Sequence, residues 1–299
     1  MNIIFHKGAE FVLTVSRACD VSDSQLAAYG VAAFRYRYEI DGETYLDMLE
    51  YESDYDCLSS KMLSGKYLSL IPPTQSDYEL FFESILDRGV RKIVHIVPKW
   101  LLTEDYNYAM KAARLEMVKY PKCEVYVVDS GTFSNGIDIL VREGIRLRDE
   151  GVSAADAAVA LLAYSKRIVT YFLPADPTSP QVAPHFSTPP TGSLLDLRQL
   201  CIINTRGAIT IKKKLRGDAM VSSALSKRVR KGGGSEAVVS YGLDPTLALK
   251  FKRRLSEVAP DIKFTLGRTG AFTDWMLGGE SLVMSYVASP DASDDDDEE

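Results

Sequence analysis

The chain has 299 residues, 46% of them hydrophobic and 25% charged, with 13 prolines, 20 glycines and 4 cysteines. That supplies enough apolar side chain for two medium domains or one large α/β domain, and it excludes a disordered, collagenous or disulfide-framework protein. The formal net charge of −6 comes from the C-terminal run DASDDDDEE, so the body is near neutral and gives no support to nucleic-acid binding.

The first residues, MNIIFHKGAE, hold no long apolar run or cleavage site, and no apolar stretch of membrane-spanning length occurs elsewhere. A soluble, cytoplasmic protein with no integral membrane segment is therefore expected. Cys19, Cys57, Cys123 and Cys201 form no CxxC pair, which removes a zinc ribbon or thioredoxin motif and suits a reducing compartment.

In chain order, residues 10–15 (EFVLTV) predict an apolar strand that ends at Ser16-Arg17-Ala18-Cys19-Asp20. A helix over 22–29 has Ser22 as its cap and Gly30 as its stop. Residues 31–40 alternate as one strand, and Asp41-Gly42 turns into another around Thr44-Tyr45. A helix over 77–88 stops at Gly89, a buried strand covers 93–97, and a helix covers 106–119. The strand 125–128 runs into Asp129-Ser130-Gly131, a polar turn where open α/β sheets place ligand sites. Ile137, Leu140, Val141, Gly144, Ile145 and Arg148 then recur at helical period, with Gly144 expected to let another backbone come close. Gly151 ends that helix and Ser153 caps the next, over 154–168.

Residues 174–192, rich in Pro, Ser and Thr, read as a linker. Beyond it come strands 200–204 and 208–213 around Arg206-Gly207, a helix over 219–230, and a flexible joint, KGGGS, at 231–235. A strand 237–241, a helix from Asp244-Pro245 to residue 258, a strand 262–266, a glycine-punctuated loop 267–279 and a strand 282–286 complete the chain. The expected division is an N-terminal α/β domain over 1–165, a helix end and linker over 166–192, a C-terminal α/β domain over 193–288, and a disordered acidic tail over 289–299.

The chemistry-bearing residues are few. Ser16 and Ser130 follow strands, as ligand residues do, but serine in a turn is ordinary. Thr74 and Thr103 each stand before a helix, where a hydroxyl serves as a cap or as a donor to an anion. Arg216, within Lys212–Arg216, fits an anionic partner or a charged strand edge. His6, His95 and His185 form no pair at metal-ligand spacing. KGGGS lacks the P-loop ending, and Ser130 with His95 lacks a Gly-x-Ser-x-Gly elbow.

The step from strand 125–128 through Asp129-Ser130 and Ser134-Asn135-Gly136 into a long helix resembles the DegV family of fatty-acid-binding proteins. The resemblance covers most of the chain. Thr14-Val15-Ser16 stands where relatives have Thr-Asp-Ser, and Pro73-Thr74 keeps their proline–hydroxyl pair while Leu70-Ile71 replaces Thr-Ser. Thr103 falls where the family serine contacts the fatty-acid carboxylate, with Glu104 and Asp105 in place of glycine and threonine. Arg206-Gly207, Arg216-Gly217 and Asp244-Pro245 match segments of the second half. Trp275-Met276-Leu277-Gly278-Gly279 stands for the family's His-Thr-Gly-Pro-Gly, keeping glycines and losing the histidine.

The resemblance implies a two-domain α/β fold, with a mainly parallel sheet, flanking helices and an apolar ligand tunnel. It implies a carrier with no catalytic residue, no metal and no cofactor, whose ligand is a long-chain fatty acid presented to a separate fatty-acid kinase. The ligand-binding residues carried over are Thr103, Thr74, Ser16, Ser130, Arg216 and Gly278. The alternatives are a family member serving as a non-lipid interaction module, and a serine hydrolase.

Overall fold

The computed structural model describes residues 8–48, 52–99, 101–179, 182–186, 197–204 and 207–290. The expectations for His6, Arg206 and the acidic run from residue 291 lie outside these residues.

The valine-rich β1 (Val12–Ser16) leads through a short 3-10 turn at Arg17–Cys19 to α1 (Asp23–Ala28), where Ser22 and Gln25 form a reciprocal capping box. β2 (Ala32–Phe34), β3 (Arg37–Ile40) and β4 (Glu43–Leu46) follow, then α2 (Glu52–Leu63) and β5 (Ser69–Ile71). Next come α3 (Gln75–Leu86), β6 (Lys92–Val97), α4 (Asp105–Lys119), β7 (Glu124–Asp129), α5 (Asn135–Asp149) and α6 (Ala154–Ser165). The second half contains β8 (Ile168–Leu173), β9 (Leu197–Ile203), β10 (Ile209–Arg216), α7 (Gly217–Lys231), β11 (Glu236–Tyr241), α8 (Pro245–Val258), β12 (Lys263–Arg268), α9 (Ala271–Leu277) and β13 (Leu282–Val287).

The strands form three sheets. A parallel sheet has the order β2-β1-β6-β7. A six-stranded mixed sheet has the order β10-β9-β8-β13-β11-β12, and a small antiparallel sheet has the order β4-β3-β5. Helix α5 bears one face on β1 and β6 and meets β8, β11 and β13 of the second sheet, so it lies between the two sheets. Its buried positions Ile137, Leu140, Val141, Gly144 and Leu147 belong to a core shared with Phe172, Cys201, Phe272 and Val283. Helices α7 and α8 cover the other face of the second sheet around Leu225, Val229, Phe251, Leu255 and Met284. The architecture is α/β, with a second sheet domain, as expected.

Several local expectations are corrected. Residues 31–40 are two strands in different sheets, because the chain breaks at Arg35-Tyr36 and β3 turns away to pair with β4 and β5. The helix expected to reach residue 168 ends at Ser165, and Ile168–Leu173, placed in the linker, is a strand inside the second sheet. Its β-branched and aromatic run, IVTYFL, pairs along its whole length with β13. The loop expected over 267–279 contains α9. KGGGS is a hydrogen-bonded turn, with Gly234 N–H donating to Val229 O and Ser289 N–H to Gly232 O. Gly144 accommodates no neighbouring backbone; a Cβ there would lie 2.9 Å from Cδ2 of Leu13, so the missing side chain makes room for a core leucine of β1.

Candidate functional site

In the parallel sheet the chain moves outward from β1 to β2 on one side and from β6 to β7 on the other. The crevice outside the carboxyl ends of β1 and β6 is thus the topological switch point, where open α/β sheets bind ligands. Ser16 closes β1 at this point, Thr103 lies in the connection from β6 to α4, and Asp105 opens α4.

A buried polar chain fills the crevice. Thr14 Oγ1 lies 2.8 Å from His95 Nδ1, and Ser16 Oγ lies 3.4 Å from His95 Nε2 and 3.2 Å from the Tyr78 hydroxyl. The Tyr36 hydroxyl donates to Asp105 Oδ1 at 2.7 Å, and the Tyr78 hydroxyl donates to the same oxygen. Ser16, Tyr36, Tyr78, His95 and Asp105 are all buried. Burial pushes the Asp105 carboxyl above the usual carboxylate range, an effect opposed by the hydroxyls of Thr103, Tyr78 and Tyr36. Burial also holds His95 down to about 3, so its ring is neutral. Desolvation, and then the charge of Asp105, raise Tyr36 and Tyr78, so both remain protonated donors.

The rings pack as tightly as the polar groups. Phe34 stacks on Tyr78 with centroids 4.0 Å apart, and Phe272 of α9 stacks on Tyr36 at 5.4 Å. Phe81 and Phe82 bracket His95. The crevice itself is therefore filled by the chain's own aromatic side chains. Outside this wall lies a groove of about 430 Å³ along Phe34, Tyr36, Leu46, Ile71, Leu80 and Phe81, with Arg35 and Arg37 also in its lining. Leu46 and Leu80 are exposed in it.

A second buried network joins the loop after β1 to α9. Asp20, at positive φ, accepts from Gly270 N–H at 2.7 Å, from Thr273 Oγ1 at 2.8 Å and from Ser134 Oγ. Burial raises Asp20 to about 6 despite these donors. Asp274, which accepts from Thr269 Oγ1 at 2.6 Å, is raised by burial to about 8. Ser134 itself stands at φ 55, a conformation unfavourable for serine, where its hydroxyl and its N–H both reach the loop after β1.

The sequence-predicted residues do not all meet. Ser16 and Thr103 come to the crevice, though Thr103 Oγ1 accepts from Asp105 N–H at 3.3 Å instead of lining an open mouth. Ser130 exchanges hydrogen bonds with Thr132 N–H and O, and His95 bonds Thr14 and Ser16, so the Ser130–His95 pairing is not formed. Thr74 is an exposed helix cap, its hydroxyl accepting from Asp77 N–H at 3.2 Å and donating to Asp77 Oδ2 at 2.7 Å. Thr74→Ala is expected to cost about 1 kcal/mol in urea denaturation, a typical cap loss, and to leave ligand affinity unchanged. Arg216 is exposed at the end of β10, the edge strand of the second sheet, and Lys213 and Lys214 beside it are exposed too, which favours the charged-edge reading. Gly278 ends α9 at φ 81, and a Cβ there would lie 2.9 Å from that of Ala175, so its role is a tight helix stop.

Residue-by-residue reading missed Tyr36 and Tyr78, because aromatic residues in apolar strands and helices carry no sign that their hydroxyls converge. Asp105 stands in the first turn of α4, where an acid complements the helix dipole, yet its side chain turns inward to Tyr36 and Tyr78. Arg268-Thr269-Gly270 was also passed over. This Thr-Gly step directly follows β12 and supplies Gly270 N–H to Asp20, whereas Trp275–Leu277 lies within α9. A Thr-Gly pair immediately after a predicted strand was the available signal.

Among the described residues no helix is long and apolar enough to cross a membrane, and no group of three or more His, Cys, Asp or Glu stands ready for a metal ion. The fold is shared with solved fatty-acid-binding structures. The Streptococcus pneumoniae fatty acid kinase B3 protein, loaded with linoleic acid, superposes with a TM-score of 0.75 at 17% identity, covering 93% of this chain and 99% of that one. A stearic-acid-binding protein from Eubacterium ventriosum gives 0.77 at 19%, covering 93% and 98%. A DegV domain-containing protein of Streptococcus pyogenes is 22% identical over 203 residues, 67% of this chain and 72% of that protein. The profile of the uncharacterised DegV family matches residues 12–179, more than half of the length, and the chain therefore belongs to the DegV family.

Proposed function

We propose that this chain is a carrier that binds a long-chain fatty acid, holding its head group at the switch-point crevice for a separate fatty-acid kinase. The observation that carries this reading is the buried hydroxyl network between β1 and β6, in which Tyr36 and Tyr78 donate to the Asp105 carboxyl and Ser16 Oγ lies 3.2 Å from the Tyr78 hydroxyl. Two structural neighbours support it, the Streptococcus pneumoniae protein loaded with linoleic acid and the stearic-acid-binding protein of Eubacterium ventriosum. The tail would lie along the apolar groove, whose volume falls in the roughly 300–1,000 Å³ range of ligand pockets. Each buried methylene contributes about 0.8 kcal/mol, so the tail supplies most of the affinity. The chain's own role is to bind, orient and exclude water; chemistry on the head group belongs to the partner.

A second reading, a non-lipid interaction module, is favoured by the aromatic filling of the crevice. Organic extraction of the purified protein followed by mass spectrometry separates the two. The carrier reading expects a stoichiometric acyl lipid, or its uptake when offered to stripped protein. A chain that is lipid-free and takes up no acyl ligand is an interaction module.

A further inference from the structure

The second sheet has a polar cavity of its own. Through the antiparallel pairs β10-β9, β9-β8, β8-β13 and β13-β11, strands β10 and β11 point the same way, so α7 and α8, which follow them, begin at one edge of the sheet. A cavity of about 300 Å³ lies at that edge, lined by Tyr241 and Gly242 at the carboxyl end of β11, and it shares no lining residue with the groove beside Phe34. Open α/β sheets place ligands beyond the carboxyl ends of their strands. Asp218 in the first turn of α7 and Thr246 in the first turn of α8 both line the cavity. The fold fixes its rim: Gly242 N–H donates to Ser281 O at 3.2 Å and Leu243 N–H to Gly279 O at 2.5 Å. The two segments touch so closely that a Cβ on Gly242 would fall 1.9 Å from Gly279 O.

Two cations, Arg198 and Lys250, and three acids, Asp218, Asp244 and Glu280, line the cavity. Each helix N-terminus adds a partial positive charge of about one half, so the charges nearly cancel and no net charge is favoured in a ligand. Arg198 pairs with Asp218 at 3.5 Å, and Asp244 accepts from Thr246 N–H at 2.8 Å. Lys250 and Glu280 are exposed and have no ion-pair partner among the described residues. Ser281, another wall residue, is 3% exposed, and its hydroxyl has no hydrogen-bond partner. Tyr241 and Leu282 give the wall an apolar part. A phosphate ester here meets three carboxylates, and an amine meets two cations and two helix N-termini. A hydrocarbon leaves the charged groups without partners. A hydroxyl both donates and accepts, so a ring of hydroxyls around a C–H face serves acids, cations and the apolar wall together.

We propose that this edge of the second sheet is a binding site for a small neutral polyol of about sugar size, separate from the acyl-ligand site. The full chain is tested by calorimetry and saturation-transfer NMR with glucose, myo-inositol and glucose 6-phosphate. At least one neutral polyol is expected to bind saturably at millimolar concentration or below, and the phosphate ester at least fivefold more weakly than that polyol. Glu280→Ala and Lys250→Ala, both at exposed positions, are each expected to weaken polyol binding at least threefold and to leave acyl-lipid uptake unchanged, since neither lines the groove. The absence of saturable polyol binding overturns the proposal. So does polyol binding that neither substitution alters, which puts the polyol elsewhere, and so does a phosphate ester that binds as tightly as the polyol, which makes the site one for anions. A chain that binds polyol with this pattern but takes up no acyl lipid upholds the proposal and overturns the carrier reading alone.

Discussion

Asn135→Ala is expected to destabilise the chain by about 3 kcal/mol in urea denaturation, with Asn135→Asp costing more. Asn135 is the first residue of α5 and is almost fully buried between the two sheets. Its Nδ2 donates to Val238 O at 3.0 Å, to Val283 O at 3.1 Å and to Ser240 Oγ at 3.1 Å, while Oδ1 accepts from Ser285 Oγ at 2.5 Å. One side chain thus ties α5 to β11 and β13 of the second sheet. Each such bond contributes about 0.5–1.5 kcal/mol net, and the buried groups left behind lose partners that water does not replace. Aspartate keeps the shape but sets a carboxylate against two carbonyl oxygens, and burial of an unpaired charge is the costlier error. An alanine variant within 0.5 kcal/mol of wild type would show that the amide is not a clamp between the sheets.

Stability is expected to fall as pH rises from 6 to 8, and Asp274→Asn is expected to remove most of that slope. Asp274 lies in α9, buried, with Thr269 donating to it; burial raises it to about 8, the nearby Asp20 and Asp47 charges adding to the rise and Arg268 opposing it. A carboxyl whose folded value lies above its unfolded value, roughly 3.9, holds a proton in the native state that the unfolded chain has released. Its contribution is present in full below the unfolded value and is lost as pH rises through the folded value. The limiting slope is about 1.4 kcal/mol per pH unit. Asp20, raised to about 6, acts with the same sign at lower pH, so the interval from 6 to 8 belongs mainly to Asp274. Asparagine is the neutral analogue and keeps the Thr269 bond. Urea midpoints at pH 6, 7 and 8 measure the slope, and an equal slope in wild type and variant would remove Asp274 as its origin.

The two networks behind these predictions differ in how far they can be read from residues alone. Ser22, Thr74 and Ser153 were legible as helix caps, because a cap requires only a short polar side chain and an N–H three residues on. Ser134-Asn135-Gly136 was legible as a motif, yet Asn135 was given no role, since its partners stand more than a hundred residues downstream. The break at Arg35-Tyr36 was hidden because β2 and β3 both alternate or run apolar, and only the choice of partner strand separates them. α2 was missed because its serines, acids and single tyrosine make no strong apolar stripe.

By itself the sequence determined the family, the α/β class, the alternation of strands and helices around the parallel sheet, and the hydroxyls at the strand ends, all of which depend on local periodicity, short motifs and capping chemistry. Only the tertiary structure decided that Asp105 points inward to Tyr36 and Tyr78, that aromatic rings fill the crevice, and that Asp20 reaches Gly270 and Thr273. Those contacts join positions 27 to 253 residues apart. Strand order and the seat of α9 bring them together, and a side chain's direction at such a point is set by what packs against it rather than by its neighbours in sequence.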